Sequence, residues 1–360
     1  MSPTDIASDD IVATAAEGAA NEREPLVVTE PLAAFLDARG IGSGELSFAP
    51  IGEGHSNVTF LVTRGEAEFV LRRPPRGPLP PSAHDVLREA RVLTAVEGHA
   101  RVPRVLAVCD DAAVMGAPFY VMERVDGFVV TNEVPAPLDS IEDRRRMGEE
   151  LIDTLVEIHA VDWQAVGLEG YGKPTGYTER QVRRFTGLWE HNKTRDIPQV
   201  EKVGRWLAEH LPDSPAATIV HGDFRLGNVI VGPRSPARVA AVLDWEMSTI
   251  GDPLADLGYL CTLWVSRNDP SLGMFELTGV TREEGFPLRE ELIARYEERS
   301  GRSMTDIRWY QTLALWKSIV FMEGNYKRAI SGATDDPYLK SFGDGVIMLA
   351  QRAEQVAFGA

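Results

Sequence analysis

At 360 residues the chain exceeds one average domain and can bury a large core, so two lobes or one large α/β unit are the natural expectations. Its 37 basic against 54 acidic residues give a formal charge of −17, which opposes binding to nucleic acid or to an anionic membrane and would not hinder a cationic small molecule. The two cysteines, Cys109 and Cys261, lie in apolar settings without metal-ligand spacing, and no stretch reads as a signal peptide or a membrane span, so a soluble, cytoplasmic protein is expected.

Residues 1–28 are rich in Ala, Asp, Glu, Ser and Thr with little periodicity, which predicts a disordered tail. Leu32, Phe35 and Leu36 ahead of Gly40 predict a short amphipathic helix. Strands are expected at Leu46–Ile51, Val58–Val62 and Phe69–Leu71, punctuated by Gly52-Glu-Gly54 and Arg64-Gly-Glu-Ala67. Ser82-Ala-His-Asp85 reads as the cap of a helix through Val96 that turns Val86, Leu93 and Val96 inward, and Val105–Val108 and Phe119–Val125 add two more strands. After the first short helix, a five-stranded antiparallel sheet with one helix completes the lobe expected over residues 29–126.

Gly127 and the Pro-containing stretch through Pro137 mark a junction. Beyond it, Ser140 and Asp143 cap a long helix with Met147, Leu151, Leu155 and Ile158 on its apolar face. Helical patterns recur at 179–191, 200–211, 254–265, 289–299, 307–330 and 339–357, so residues 127–360 form a mostly helical second lobe.

The chemistry concentrates in His221-Gly-Asp-Phe-Arg-Leu-Gly-Asn228, followed by Asp244-Trp245 after the apolar run Val239–Leu243. Short apolar stretches flank each polar group, so each sits at a strand edge or in the adjoining loop, and Gly222 and Gly227 permit tight turns around Asp223. Asp223 can orient an acceptor hydroxyl and take its proton as the bond to phosphorus forms, while Asn228 and Asp244 offer hard oxygen ligands for magnesium. His221 is expected to set up the loop by hydrogen bonds, and Arg225 to neutralise a transferring phosphate or pair with a carboxylate. A solvated Asp/Asn/Gly-rich turn explains His221-x-Asp223 alone; the ordered set with Asn228 and Asp244 favours catalysis. Asp252 and Asp256, at a helix start, read as caps and loop anchors.

These segments resemble the catalytic loop and metal-binding segment of the aminoglycoside phosphotransferase and choline kinase-like family, which shares the bilobal α+β fold of protein kinases but carries His-Gly-Asp where those carry His-Arg-Asp. Phe224-Arg-Leu-Gly-Asn228 with Val70-Leu-Arg-Arg-Pro-Pro75 looks most like the kinase-like domains that accompany acyl-CoA dehydrogenases. The resemblance implies an ATP- and Mg2+-dependent kinase acting on a hydroxyl of a small molecule, an aminoglycoside or a hydroxyacyl compound.

On the nucleotide side, Gly52 and Gly54 would let backbone amides approach phosphate oxygens, and Ser56 and Asn57 add donors. Arg72 stands where a strand cation pairs with the α and β phosphates, with Glu89 on the next helix as its partner; the commoner residue there is lysine, and Arg73 competes for the role from the opposite face of the strand. Backbone groups around Glu123 to Val125 are placed to meet an adenine edge. On the acceptor side, Trp163, Tyr171, Tyr177, Trp189, Trp309, Trp316 and Tyr326 are aromatic candidates, most of them core. Lys317, Glu323, Asn325, Lys327 and Arg328 share one helix, which describes an acceptor-facing surface and a solvated one equally well. The alternative to a working kinase is a kinase-like protein that holds nucleotide without turnover, motivated by arginine at 72. A protein kinase is disfavoured, because Gly251-Asp-Pro253 follows Asp244 too soon for a peptide-docking segment.

Overall fold

The computed structural model describes residues 10–52, 57–77, 84–271, 276–334 and 336–359. Gly54, Ser56, Ser82 and residues 1–9 of the expected tail therefore lie outside the described residues. The chain divides into two compact units, residues 1–126 with 243–246, and residues 127–242 with 247–360.

In the first unit, Ile11–Val12 (β1) and Val27–Val28 (β2) pair in parallel around the short helix Ala15–Gly18 (α1). Thr14 caps α1 by accepting from the Glu17 amide at 3.2 Å. From Asp10 onward the segment expected to be disordered is thus folded. The reason is local: Leu26, Val27 and Val28 are buried, the Leu26 and Val27 amides both donate to the Asp10 carbonyl, and Arg73 donates to the Leu26 and Met115 carbonyls. Three consecutive apolar residues sufficed to anchor a stretch whose average composition reads as unstructured.

The helix Thr29–Asp37 (α2) follows, then the strands Leu46–Pro50 (β3), Val58–Arg64 (β4) and Ala67–Arg73 (β5). The helix Val86–Val96 (α3) begins with Asp85 accepting from the Arg88 amide at 3.0 Å, and Val105–Cys109 (β6), Ala112–Met115 (α4) and Phe119–Glu123 (β7) complete the unit. The five strands form an antiparallel sheet in the order β3-β4-β5-β7-β6. Alternation along β5 puts Leu71 into the core with Phe60, Val62, Phe69, Val121 and the α2 residues Leu32 and Leu36, and sends Arg72 to the opposite face.

The second unit begins its regular structure with Ile141–Ala160 (α5), which Ser140 caps by accepting from the Asp143 amide at 3.0 Å; Met147, Leu151, Leu155 and Ile158 are its buried stripe. Tyr177–Asn192 (α6) and Pro198–Glu209 (α7) lead to four short strands, Thr218–Val220 (β8), Val229–Val231 (β9), Val239–Val242 (β10) and Thr249–Gly251 (β11). β9 pairs antiparallel with β10, and β8 with β11, so both ends of the 221–228 loop are tied into ladders. Leu254–Leu263 (α8), Arg289–Ser300 (α9), Ile307–Ile330 (α10) and Pro337–Phe358 (α11) follow, with α10 packed against α6, α7, α8 and α11. Gly258 lets α8 approach α10 closely, since a Cβ there would lie 2.7 Å from backbone and side-chain carbons of Tyr310. No helix among the described residues is long and apolar enough to cross a membrane, and both cysteines are buried and unpaired.

Candidate active site

In the first unit the expected pairing of Arg72 with Glu89 is present. Arg72 Nε donates to Glu89 Oε2 at 2.9 Å, Nη1 to Thr59 Oγ1 at 3.3 Å and Nη2 to Asp244 Oδ1 at 2.6 Å, with Glu246 Oε2 at 3.9 Å. Burial works against the guanidinium, yet the charges of Glu89, Asp244 and Glu246 raise its pKa above the ordinary arginine value, so it remains a cation. Burial also lifts Glu89 to about 7, against the pull of Arg72 and with the push of the Asp244 charge. Glu89 Oε1 accepts from the Trp245 amide at 3.2 Å, and that buried indole anchors the segment in which Asp244 takes a left-handed φ of +64°. Such a backbone conformation is uncommon for a residue with a Cβ and aims the carboxylate away from the regular path of β10.

Arg73, the competing candidate, is occupied elsewhere: it donates to the carbonyls of Pro74, Leu26 and Met115, and burial with the neighbouring Arg76 lowers its pKa to about 10. Asn57 donates to Glu246 Oε2 at 3.2 Å, and Gly52 holds φ +83° just past β3. Glu123 closes β7 with its amide on the Arg104 carbonyl and its carboxylate accepting from the Arg104 amide; Val125 follows two residues on.

In the second unit the residues of the expected catalytic loop converge. Asn228 Nδ2 donates at 2.8 Å to both the Asp223 carbonyl and Asp223 Oδ2, and Arg225 Nε stands 3.7 Å from Asp223 Oδ1. His221, fully buried, accepts the Asp223 amide on Nδ1 at 3.2 Å, a contact within the loop. Gly222 adopts φ +89°, and a Cβ there would lie 2.7 Å from the Met247 carbonyl oxygen, so both conformation and space call for glycine.

Asp256 anchors this loop from α8. Its carboxylate accepts from the His221 amide at 2.7 Å, the Gly222 amide at 2.8 Å and His159 Nε2 at 3.2 Å, while His159 Nδ1 meets the Tyr296 hydroxyl at 2.7 Å. Burial opposes the Asp256 charge, but the hydrogen bonds and the neighbouring imidazoles outweigh it and lower its pKa. Burial lowers the pKa of His159 in turn, despite the pull of Asp256. Asp252 accepts from the Leu254 amide and from the Tyr310 hydroxyl, as a helix-start anchor should.

Two residues that sequence reasoning did not select also bear on the loop. The Tyr259 hydroxyl faces Asp223, and burial together with that charge raises its pKa well above the ordinary phenol value. His159 lies 97 residues from Asp256, so only tertiary structure joins them. Of the aromatic candidates, Tyr177 lines a small pocket beside Gly222, whereas Trp163, Trp309 and Trp316 spend their indole N–H groups on the carbonyls of Ala217, Leu207 and Val200. Glu323 accepts from Thr194 and pairs with Arg195.

In the second unit Asn228 keeps its amide oxygen while its nitrogen holds Asp223, and in the first Asp244 carries a carboxylate; each is a hard oxygen of the kind magnesium accepts. No group of three or more His, Cys, Asp or Glu gathers for a metal among the described residues.

A family model described as the phosphotransferase enzyme family matches residues 47–301. Acyl-CoA dehydrogenase family member 10 of Mus musculus is 36% identical over 296 residues, covering 81% of this chain and 27% of that protein. Acyl-CoA dehydrogenase family member 11 of Gallus gallus is 36% identical over 324 residues, covering 88% and 41%. The chain therefore spans well under half the length of these curated relatives. A putative aminoglycoside phosphotransferase from Ralstonia eutropha JMP134 superposes with a TM-score of 0.80 at 32% identity, over 92% of this chain and 98% of that one. Macrolide 2'-phosphotransferase type I, with a TM-score of 0.60 at 19% identity over 89% and 98%, shares the fold. With a family model over most of its length and relatives above 30% identity across four-fifths of it or more, the chain belongs to the phosphotransferase enzyme family and has its bilobal kinase-like α+β fold.

Proposed function

We propose that the protein is an ATP- and magnesium-dependent kinase that transfers the γ-phosphoryl group to a hydroxyl of a small molecule in the cytoplasm. The observation that carries this reading is the Asp223–Asn228 pair: Asn228 fixes Oδ2, leaving Oδ1 to receive the proton of an incoming hydroxyl. Asp256 holds the loop backbone, so the carboxylate is positioned before substrate arrives. Arg225, near Oδ1, adds positive charge beside the transferring group. Arg72, held charged, pairs with the α and β phosphates, and amides around Gly52 and Gly54 with Ser56 and Asn57 line the remaining phosphate oxygens; backbone groups of Glu123 and Val125 meet the adenine edge. Magnesium, held by Asn228 and Asp244 oxygens, would neutralise charge on the phosphates.

Solved neighbours described as complexes of APH(4)-Ia with AMP-PNP and hygromycin B, and of an aminoglycoside 2'-phosphotransferase with GDP, support nucleotide use in this fold. The dehydrogenase-family names of the 36%-identical relatives direct the acceptor towards a hydroxyacyl compound, and the aminoglycoside and macrolide neighbours towards an antibiotic. The test is a magnesium-dependent ATP-consumption screen over hydroxyacyl compounds, aminoglycosides and macrolides with Asp223→Ala as control. Turnover lost in Asp223→Ala is expected. Turnover indifferent to it refutes the assignment, and ATP binding with no turnover on any acceptor would favour a nucleotide-holding protein instead.

A further inference from the structure

Resting on the kinase reading, we infer that Lys317 sets acceptor specificity: its ammonium takes an acyl oxygen, carboxylate or thioester carbonyl, of the molecule being phosphorylated and turns away acceptors that carry ammonium groups. Lys317 lies on α10 and lines a pocket with Tyr177, Gly222, Asp256 and Tyr259. Gly222 directly precedes Asp223, and Tyr259 faces Asp223, so the pocket adjoins the carboxylate assigned to the acceptor hydroxyl.

Among the described residues no carboxylate reaches ion-pairing distance of Lys317, and its nitrogen stands 5.1 Å from the Phe185 ring centroid. The two acidic groups whose charges it feels are already engaged, Asp256 by the His221 and Gly222 amides and His159, and Asp223 by Asn228. A partly sheltered lysine without a fixed counter-ion is costly to keep, and burial lowers its pKa to about 8, which leaves it charged at neutral pH. The cost is explained if an electron-rich oxygen completes the pair when acceptor binds.

The pocket is small and partly open, with about 20 Å³ of space for a water-sized group, and a single acyl oxygen fits there. An amino sugar would bring like charge to Lys317 in a sheltered place where repulsion is poorly screened.

The experiment measures Asp223-dependent phosphoryl transfer from Mg-ATP to hydroxyalkanoates with the hydroxyl at successive carbons, their CoA thioesters, the corresponding diols, and kanamycin, in wild type, Lys317→Met and Lys317→Arg. The wild type is expected to use an acid or a thioester in preference to the diol and kanamycin. Lys317→Met should raise KM for that acceptor about tenfold or more with kcat little changed, and Lys317→Arg should recover part of the loss. Acid and thioester arms separate the two sources of the acyl oxygen. A wild type that prefers a diol or kanamycin, or a Lys317→Met enzyme with unaltered acid-to-diol selectivity, overturns the Lys317 assignment and leaves the kinase reading standing. Absence of Asp223-dependent transfer to every acceptor overturns both.

Discussion

Replacing Asp256 with asparagine tests whether the catalytic loop is held from α8 as its hydrogen bonds indicate. Asp256 Oδ2 accepts from His221 and His159, and Oδ1 from Gly222. The less damaging asparagine orientation keeps its oxygen on the Oδ2 side, so the new NH2 faces the Gly222 amide, donor against donor. Losing a hydrogen bond to a charged group costs about 1.5–3 kcal/mol, and stranding the half-buried Gly222 amide about 1 kcal/mol or more besides. Relief from burying a charge offsets part of this, leaving a net of about 3 kcal/mol, or roughly a hundredfold, concentrated at the loop. Because a protein of two compact units need not unfold in one step, the cleaner readout is local: amide hydrogen exchange of peptides covering 221–228 should accelerate about a hundredfold. kcat for ATP consumption should fall with it. Exchange within about threefold of wild type together with unchanged kcat would refute the view that Asp256 sets the geometry of Asp223.

Arg72→Lys should raise KM for ATP about tenfold or more, because an ammonium cannot repeat the fork to Glu89 and Asp244; unchanged KM would remove Arg72 from the phosphate site. Gly258→Ala should destabilise by about 1–3 kcal/mol through the 2.7 Å approach to Tyr310, whereas Gly187→Ala on α6, with nothing within 4 Å, should be neutral or stabilising by up to about 1 kcal/mol; thermal melts of the pair check this. Arg73→Met strands the carbonyls of Leu26 and Met115, and limited proteolysis should then cut within residues 10–28 faster than in wild type. His159 has a lowered folded pKa, so as pH falls below the ordinary histidine value the unfolded chain takes up a proton that the folded chain refuses. Stability should therefore decline from pH 7 towards the folded pKa and flatten beneath it, and His159→Gln should show a shallower slope in melting temperature against pH.

What could be read from sequence was what the chain holds close together. Asp223 and Asn228 are five residues apart in a loop pinned at both ends, so their meeting needed no tertiary knowledge. Arg72 and Glu89 followed from the order of strand and helix, but the choice against Arg73 depended on which face of the sheet carries the core, a fact fixed by Phe60, Val62 and Val121 on other strands. The folded segment after Asp10 was hidden because three apolar residues, Leu26 to Val28, are too few to register against their polar surroundings, yet all three are buried in the folded unit. Helix α2 starts at Thr29 and carries Pro31 within its first turn, where proline is tolerated. His159, Tyr259 and Lys317 belong to contacts made across helices far apart in the chain, and periodicity assigns such residues a face without naming what that face meets.

Arginine at position 72 is best understood through the number of carboxylates it serves. A lysine offers one point charge, suited to a single carboxylate and a phosphate in turn. Here Glu89, Asp244 and Glu246 surround one cation, and two carboxylates are met by different edges of the same planar group, Nε for Glu89 and Nη2 for Asp244. Removing one partner would leave a buried carboxylate without compensation, as the rise of Glu89 to about 7 indicates even with Arg72 present. The departure from lysine thus follows from the acidity of the segment carrying Asp244 and Glu246: the more negative that segment, the more a forked, permanently charged partner is needed to hold it in its left-handed turn. On this argument arginine at position 72 suits the proposed nucleotide site rather than disabling it, and turnover is the expected outcome of the acceptor screen.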